Sequence, residues 1–183
     1  FELKPYNLQV GDVNGDGKAD IIQSNGSSSI TYINQGTSWY LDTNWVPPCA
    51  FKGGSFNDPG CRMVDLNGDG LPDFVTAVGD GDGNAPISTS VWLNTGSGWS
   101  SDSGWAVPVD LRWGSVFIDY NGDGLVDILK GFRNDISNPT ISIKSANKNN
   151  GDKTWSSDSN YASPVYLAVA TSGATLPVST GVR

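Results

Sequence analysis

One nine-residue pattern, Asp-x-Asn-Gly-Asp-Gly-x-x-Asp, occurs three times and constrains the fold more than any other feature of this sequence. The copies begin at Asp12, Asp65 and Asp119, so the repeat period is 53 and then 54 residues. A second motif follows each copy: an aromatic residue, an Asp three positions later and another aromatic residue three positions after that. Two motifs that recur in step predict a tandem repeat rather than three unrelated loops.

The segments between these loops predict short β-strands. Apolar runs bracket each loop, alternating segments such as 30–33 follow, and no periodicity of helical length is present. A unit of roughly 54 residues with three or four strands fits one blade of a β-propeller, and closed propellers have about four to eight blades. We therefore predict an all-β fold of three propeller-blade-like repeats, forming a partial propeller or one completed between chains. The predicted single repeat domain covers 1–183, with units at 1–60, 61–114 and 115–165 and a strand-like C-terminal tail at 166–183.

Oxygen donors for a hard cation recur at positions 1, 3, 5, 7 and 9 of each loop. Ca²⁺ takes about six to eight oxygen ligands from carboxylates, amides, carbonyls and water, and Gly at position 6 permits the sharp turn that such a loop needs. Position 7 offers its backbone carbonyl, so its residue type is free. The sequence predicts three Ca²⁺ sites with these ligands: Asp12, Asn14, Asp16, Lys18 and Asp20; Asp65, Asn67, Asp69, Leu71 and Asp73; Asp119, Asn121, Asp123, Leu125 and Asp127.

Two other interpretations of the loops fit less well. Metal-free hairpin turns built on Asn-Gly or Asp-Gly need no Asp at position 9, yet all three copies have one. An EF-hand needs a Glu at position 12 and flanking helices, but position 12 holds Gln23, Thr76 and Lys130. Three bound Ca²⁺ ions would change the net charge from −8 to −2, which indicates that most of the acidity is ligand charge.

With these loops at this spacing, the sequence resembles the FG-GAP/VCBS repeats of integrin-α-like β-propellers. The resemblance covers all three units and is carried by GDVNGDGKADII, VDLNGDGLPDFV and IDYNGDGLVDIL. The segment VWLNTGSGWSSDSGW is also similar to repeats of large bacterial surface and secreted proteins. The resemblance implies a calcium-bearing blade that serves adhesion, ligand binding or assembly.

The two cysteines, Cys49 and Cys61, lie twelve positions apart across a Gly-rich turn. They are either two buried thiols or a disulfide, and we expect the disulfide because the other features favour an extracellular location.

Asn25 begins the one glycosylation sequon of the chain. No apolar run is long enough to span a membrane. We therefore expect a protein that is secreted or displayed at the cell surface.

The aromatic residues of the second motif allow two interpretations. Paired aromatic rings beside a carboxylate could bind sugars, or they could pack each repeat and close its turn. Their repetition in every unit favours packing. The residues concerned are Trp39, Trp45, Trp99, Trp105, Trp155 and Tyr161.

Catalysis and nucleic-acid binding are poorly supported. The chain has no His, which removes Ser-His-Asp and Cys-His catalysis, and its net charge of −8 does not suit a phosphate-binding surface. We expect a non-enzymatic, calcium-stabilised structural or adhesion module, either a self-associating subunit of a surface fibre or part of a larger secreted protein. Its expected partners are other copies or neighbouring repeats, with glycans or a surface protein as further candidates. A carbohydrate-binding lectin-like module is the alternative, and a two-carboxylate glycosidase is more remote.

Overall fold

The structure, a computed structural model, describes residues 8–25, 27–52, 58–79, 86–136, 141–170 and 178–179. Within these ranges the chain is all-β, and its only helical element is a short 3-10 turn at Ser159–Tyr161. No helix in the described ranges is long and apolar enough to cross a membrane.

The first two sheets are four-stranded. The first contains Leu8–Gly11 (β1), Asp20–Ser24 (β2), Ser29–Asn34 (β3) and Trp39–Asp42 (β4). The second contains Cys61–Val64 (β5), Asp73–Val78 (β6), Ser88–Asn94 (β7) and Trp99–Ser101 (β8). In each sheet the spatial order of the strands is their order along the chain. We call these sheets blades 1 and 2.

Blade 3 is larger. Its strands are Ser115–Ile118 (β9), Asp127–Asn134 (β10), Ile141–Asn149 (β11), Trp155–Ser157 (β12), Ala168–Ala170 (β13) and Val178–Ser179 (β14). Strand β10 pairs with β11 along one edge, and its other edge is shared by antiparallel β9 and parallel β13. The predicted tail thus contributes β13 and β14, while its residues 171–177 and 180–183 lie outside the described part.

Each Asp-rich loop joins the first two strands of its blade in the same register. The Asp at position 9 of each loop pairs with the residue that precedes position 1: Asp20 with Gly11, Asp73 with Val64, and Asp127 with Ile118. Each aromatic motif starts on the fourth strand, at β4, β8 and β12. The predicted all-β fold of three blade-like repeats is therefore confirmed.

The chain separates into two compact units. One comprises Phe1–Thr76 and Ser90–Ser103, and the other comprises Ala77–Thr89 and Gly104–Arg183. The domain boundaries drawn from the sequence stay a prediction. In the first unit, the buried core combines side chains of both Asp-loop repeats: Val13, Ile22, Ile33, Trp45, Phe51, Cys61 and Phe74.

The second unit has a smaller apolar cluster and a buried cation. Phe132 packs with Ala168 and Ala170, so strand β13 helps to cover the central strand of blade 3. Lys130 is fully buried, and its ammonium donates to the carbonyls of three residues at 2.5–2.9 Å: Asp110, Arg112 and Trp113. These bonds fix the segment that enters β9, because a buried ammonium without acceptors would be strongly unfavourable.

Candidate metal loops

The first Asp of every loop accepts three hydrogen bonds from the backbone that follows it. The carboxylate of Asp12 accepts from the amides at loop positions 4, 5 and 6, at 2.8, 3.0 and 2.7 Å. Asp65 accepts from the same positions at 2.8, 3.1 and 2.8 Å, and Asp119 at 2.7, 3.2 and 2.9 Å. The loop therefore folds around this carboxylate, and three copies do so in the same way.

Positions 3 and 5 close the rest of the turn. Asn14 Oδ1 accepts from the amide of Asp16 at 3.1 Å, and Asp16 Oδ1 accepts from the amide of Lys18 at 2.9 Å. The corresponding distances are 3.0 and 2.9 Å in the second loop and 2.8 and 3.0 Å in the third. The glycines at positions 4 and 6 have φ between 74° and 88° in all three loops, a conformation that other residues adopt only with strain.

The Asp at position 9 ties each loop to the third strand of its blade. Asp73 is fully buried, and its two oxygens accept from the amides of Leu66 at 2.9 Å and Asn94 at 2.7 Å. Asp20 and Asp127 are equally buried and accept from the amides at the same two places in their own blades. This carboxylate therefore has a structural role that the ligand pattern alone did not reveal.

Burial makes the charge on these position 9 carboxylates unfavourable. Desolvation, with a smaller contribution from the carboxylates of Asp69 and Asp65, raises the pKa of Asp73 to about 6 although its two backbone hydrogen bonds act in the opposite direction. The pKa values of Asp20 and Asp127 are raised for the same reasons. A cation bound in the loop would favour the ionised form of these groups.

Position 5 lies at the surface, and there lysines favour the charged form. The hydrogen bond from Lys18 lowers the pKa of Asp16, and the two side chains are 3.0 Å apart. In the third loop, the amide of Leu125 and then Lys148 lower the pKa of Asp123. The first and third loops therefore combine an accessible position 5 carboxylate, whose charged form is favoured, with a buried carboxylate at position 9.

The donor chemistry of each loop fits a hard cation. Positions 1, 3, 5 and 9 offer only carboxylate and amide oxygens, and position 7 offers a carbonyl. Among the residues that the structure describes, no three carboxylate, thiol or imidazole groups form a cluster that could hold a metal by themselves. The amide and carbonyl oxygens would therefore have to complete the coordination, as they do in other Ca²⁺ loops. The fifteen predicted ligands stay a prediction.

A third repeated element, Asn-x-Gly, was not recognised from the sequence. In each blade the Asn that ends the third strand donates its backbone N–H to the position 9 carboxylate. Its side-chain Oδ1 accepts from the backbone N–H of the Gly two residues later. The second distance is 2.8 Å for Asn34, 2.8 Å for Asn94 and 3.0 Å for Asn149. The repeated Asn-x-Gly could have revealed it, but its distance from the Asp-rich loop varies between blades.

The aromatic motif is mainly a packing element. Trp45 and Trp105 are only 7% and 6% exposed. Trp99 packs edge-on against Trp45, with ring centroids 5.0 Å apart, and Trp155 packs against Trp105 at 6.2 Å. Each contact joins the second aromatic residue of one motif to the first aromatic residue of the next.

The remaining two aromatic residues of the motif set are exposed. Trp39 is 51% and Tyr161 is 49% exposed, and Tyr161 stacks on Tyr120 at 4.6 Å. Two Asp residues of the motif close turns: Asp42 accepts from the amide of Asn44 at 2.8 Å, and Asp158 accepts from the amide of Asn160 at 3.0 Å. Sugar binding by this set would therefore be confined to its two exposed members.

The predicted disulfide is confirmed. Cys49 and Cys61 are bonded, with their Cα atoms 6.1 Å apart, and both cysteines pack against the core of the first unit.

Asn25 of the predicted sequon is exposed, and its side-chain oxygen accepts from the amides of Ser27 and Ser28, both at 2.9 Å. The Asn25 side chain is therefore accessible at the surface.

Comparison with known proteins agrees with this architecture. The FG-GAP-like repeat profile matches residues 12–76 and again residues 65–129, so each match runs from one Asp-rich loop through the next. No curated protein sequence matches the chain. Among solved structures, a lectin of Agrocybe aegerita that specifically recognises non-reducing terminal N-acetylglucosamine has a similar fold. The match has a TM-score of 0.53 and 20% identity, and it covers 84% of this chain but only 37% of the lectin.

Proposed function

This chain belongs to the family of FG-GAP-like repeats, and on that basis we propose that it is a non-enzymatic, extracellular structural or adhesion module stabilised by three Ca²⁺ ions. The observation that carries the proposal is the common construction of the loops. Three separate segments arrange a position 1 carboxylate, a position 3 amide and a buried position 9 carboxylate through the same hydrogen bonds.

The calcium proposal follows from the charge of these loops. Each loop gathers three carboxylates within nine residues, and the one at position 9 is buried. Ca²⁺, when bound, supplies two positive charges that offset their repulsion. The chain's own residues hold the loop in place: the position 1 Asp organises the turn, and the position 9 Asp attaches it to the third strand.

Isothermal titration of the chelator-treated protein with Ca²⁺ tests this proposal. We expect a stoichiometry of three, and a loss of one site in each of the variants Asp12→Ala, Asp65→Ala and Asp119→Ala. Asp42→Ala is the matched control, because Asp42 also accepts a backbone amide but lies outside the loops. A titration without heat, together with a melting temperature unaffected by Ca²⁺, would refute the proposal.

An extracellular, non-enzymatic role has separate support. The Cys49–Cys61 disulfide suits an oxidising compartment. The chain contains no His, and its repeated Asp residues are accounted for by the loops and turns described above. We propose that its partners are blades of the same kind, in another copy or in a larger protein.

A lectin-like function is the second candidate. It is favoured by a groove of about 390 Å³ lined by Ser27, Ser28, Ser29 and the segment 46–50, since hydroxyl groups beside an apolar wall suit a sugar. The fold is shared with a lectin. A glycan array, with Ser28→Ala to alter the groove and Trp39→Ala to remove the exposed ring, tests it. Absence of binding to any glycan would leave the structural role alone.

A further inference from the structure

Blade 2 packs on blade 1 through contacts at repeated positions. Trp99 lies against Trp45, and Asn94 Nδ2 donates to the carbonyl of Val13 at 2.9 Å. Val13 is fully buried at this contact. The contact therefore combines a ring pair with a hydrogen bond to the Asp-rich loop of the preceding blade.

Two glycines of blade 1 allow this close approach. A Cβ added at Gly11 would lie 2.9 Å from Met63 Cε, and one added at Gly15 would lie 3.1 Å from Leu71 Cδ2. We call the receiving side of a blade its tail face and the docking side its head face. In this contact the tail face of blade 1 contributes Gly11, Val13, Gly15 and Trp45, and the head face of blade 2 contributes Met63, Leu71, Asn94 and Trp99.

The head face of blade 1 has the same construction but is exposed. By position in the repeat, Val10 corresponds to Met63 and Trp39 corresponds to Trp99. Val10 is 57% and Trp39 is 51% exposed. Blade 1 thus presents to solvent the apolar side chains that in blade 2 are used for docking.

The tail face of blade 3 is exposed in a complementary way. Tyr161 corresponds to Trp45 and Trp105, yet it is 49% exposed where those two are buried. Ile118 lies where blade 1 has Gly11 and is 48% exposed, so this face would present a larger side chain to Val10, which is itself smaller than Met63. At Gly122, the counterpart of Gly15, an added Cβ would meet no described atom within 4 Å.

We propose that the head face of blade 1 in one copy of this chain docks on the tail face of blade 3 in a second copy, bringing Trp39 against Tyr161. The proposal rests on the calcium-stabilised structural role above, because both faces include residues of the Asp-rich loops. The second copy is the occupant because a single chain carries both halves of a contact that it already uses internally. The association is head-to-tail, so it extends into a ring or a filament rather than stopping at a symmetric dimer.

Charge supports the same pairing. At the head face of blade 1, Lys18 takes the place of Leu71, which in blade 2 packs over the loop glycine of the preceding blade. In the proposed contact Lys18, which pairs with Asp16 at 3.0 Å, would approach the third loop, where Asp119 and Asp123 are exposed and Asp123 pairs with Lys148 at 3.0 Å. A contact of two head faces would instead bring two Lys18 side chains together, and their repulsion disfavours that register.

Sedimentation velocity of the full chain in excess Ca²⁺, over a range of protein concentrations, tests the proposal. We expect the wild-type mass to increase with concentration, and Trp39→Ala and Tyr161→Ala each to weaken association at least tenfold. An equimolar mixture of the two variants should form a dimer and stop there, because one variant retains an intact tail face and the other an intact head face. Tyr40→Ala is the control, since Tyr40 is the exposed neighbour of Trp39 on the opposite side of β4.

The outcomes separate this proposal from the calcium proposal. A wild-type chain that binds Ca²⁺ by calorimetry but stays monomeric overturns the docking proposal alone. So does association that either single variant leaves unchanged, or a mixture that forms no dimer. Circular dichroism identifies a variant that fails to fold, and in that case Val10→Asp for the head face and Ile118→Asp for the tail face repeat the same mixing experiment.

Discussion

In the metal-free protein, acidification should stabilise the folded state through Asp73. Its carboxyl is fully buried, and its pKa rises from 3.8 to about 6 on folding. Since the folded state then binds a proton more tightly than the unfolded state, stability increases as the pH falls through about 6 and levels off below 3.8. Over this whole pH interval the free energy of unfolding increases by about 3 kcal/mol. About 1 kcal/mol of that increase occurs between about pH 7 and about pH 5.

Urea unfolding followed by tryptophan fluorescence, with and without Ca²⁺, measures this effect. Asp20 and Asp127 add to it, because their pKa values are raised in the same direction. With Ca²⁺ in excess the trend should reverse, because binding favours the ionised carboxylates and protons compete with the cation. Asp73→Asn should remove the share of Asp73 in the acid stabilisation, and Asp42→Asn should leave the whole effect intact. The reasoning is refuted if the metal-free wild type is no more stable at about pH 5 than at about pH 7, or if Asp73→Asn responds to pH as the wild type does.

Three further predictions concern stability. Chelation of Ca²⁺ should lower the melting temperature measured by calorimetry, since each site filled at about 100 times its Kd contributes roughly 2.7 kcal/mol; an unchanged melt in chelator would contradict bound Ca²⁺. The double variant Cys49→Ser/Cys61→Ser should have a free energy of unfolding in urea that is about 2–4 kcal/mol lower than that of the wild type. An equal decrease in the reduced wild type would show that the effect comes from the disulfide bond. Trp45→Ala should cost about 3–5 kcal/mol because Trp45 is 7% exposed, whereas Trp39→Ala in dilute monomer should cost about 0.5 kcal/mol or less; equal losses would contradict the described packing.

The local part of this molecule was accessible from the sequence. The hydrogen bonds of Asp12, for example, reach only residues three to five positions ahead, so their requirements appear as a contiguous pattern of Asp, Asn and Gly. The strands that flank the loops, the repeat period and the disulfide followed from equally short segments. The family assignment rested on the same loops, and the profile match over residues 12–129 agrees with it.

The sequence identified the aromatic residues of the motif but did not indicate which of their side chains are buried. Trp45 and Trp99 lie 54 positions apart, and their contact depends on how blade 2 packs on blade 1. The position 9 carboxylates likewise acquire their second hydrogen bond from a strand whose distance along the chain varies from blade to blade. Such separations leave no fixed spacing to recognise.

The conformation of the three Asp-rich loops was thus determined by the sequence itself, because each loop is held by hydrogen bonds between residues only a few positions apart. Only the tertiary structure decided that Asp20, Asp73 and Asp127 are buried and that Trp39 and Tyr161 stay exposed while their counterparts are paired. Burial and pairing depend on which blade lies beside which, and that is settled by packing between distant segments rather than by any local pattern.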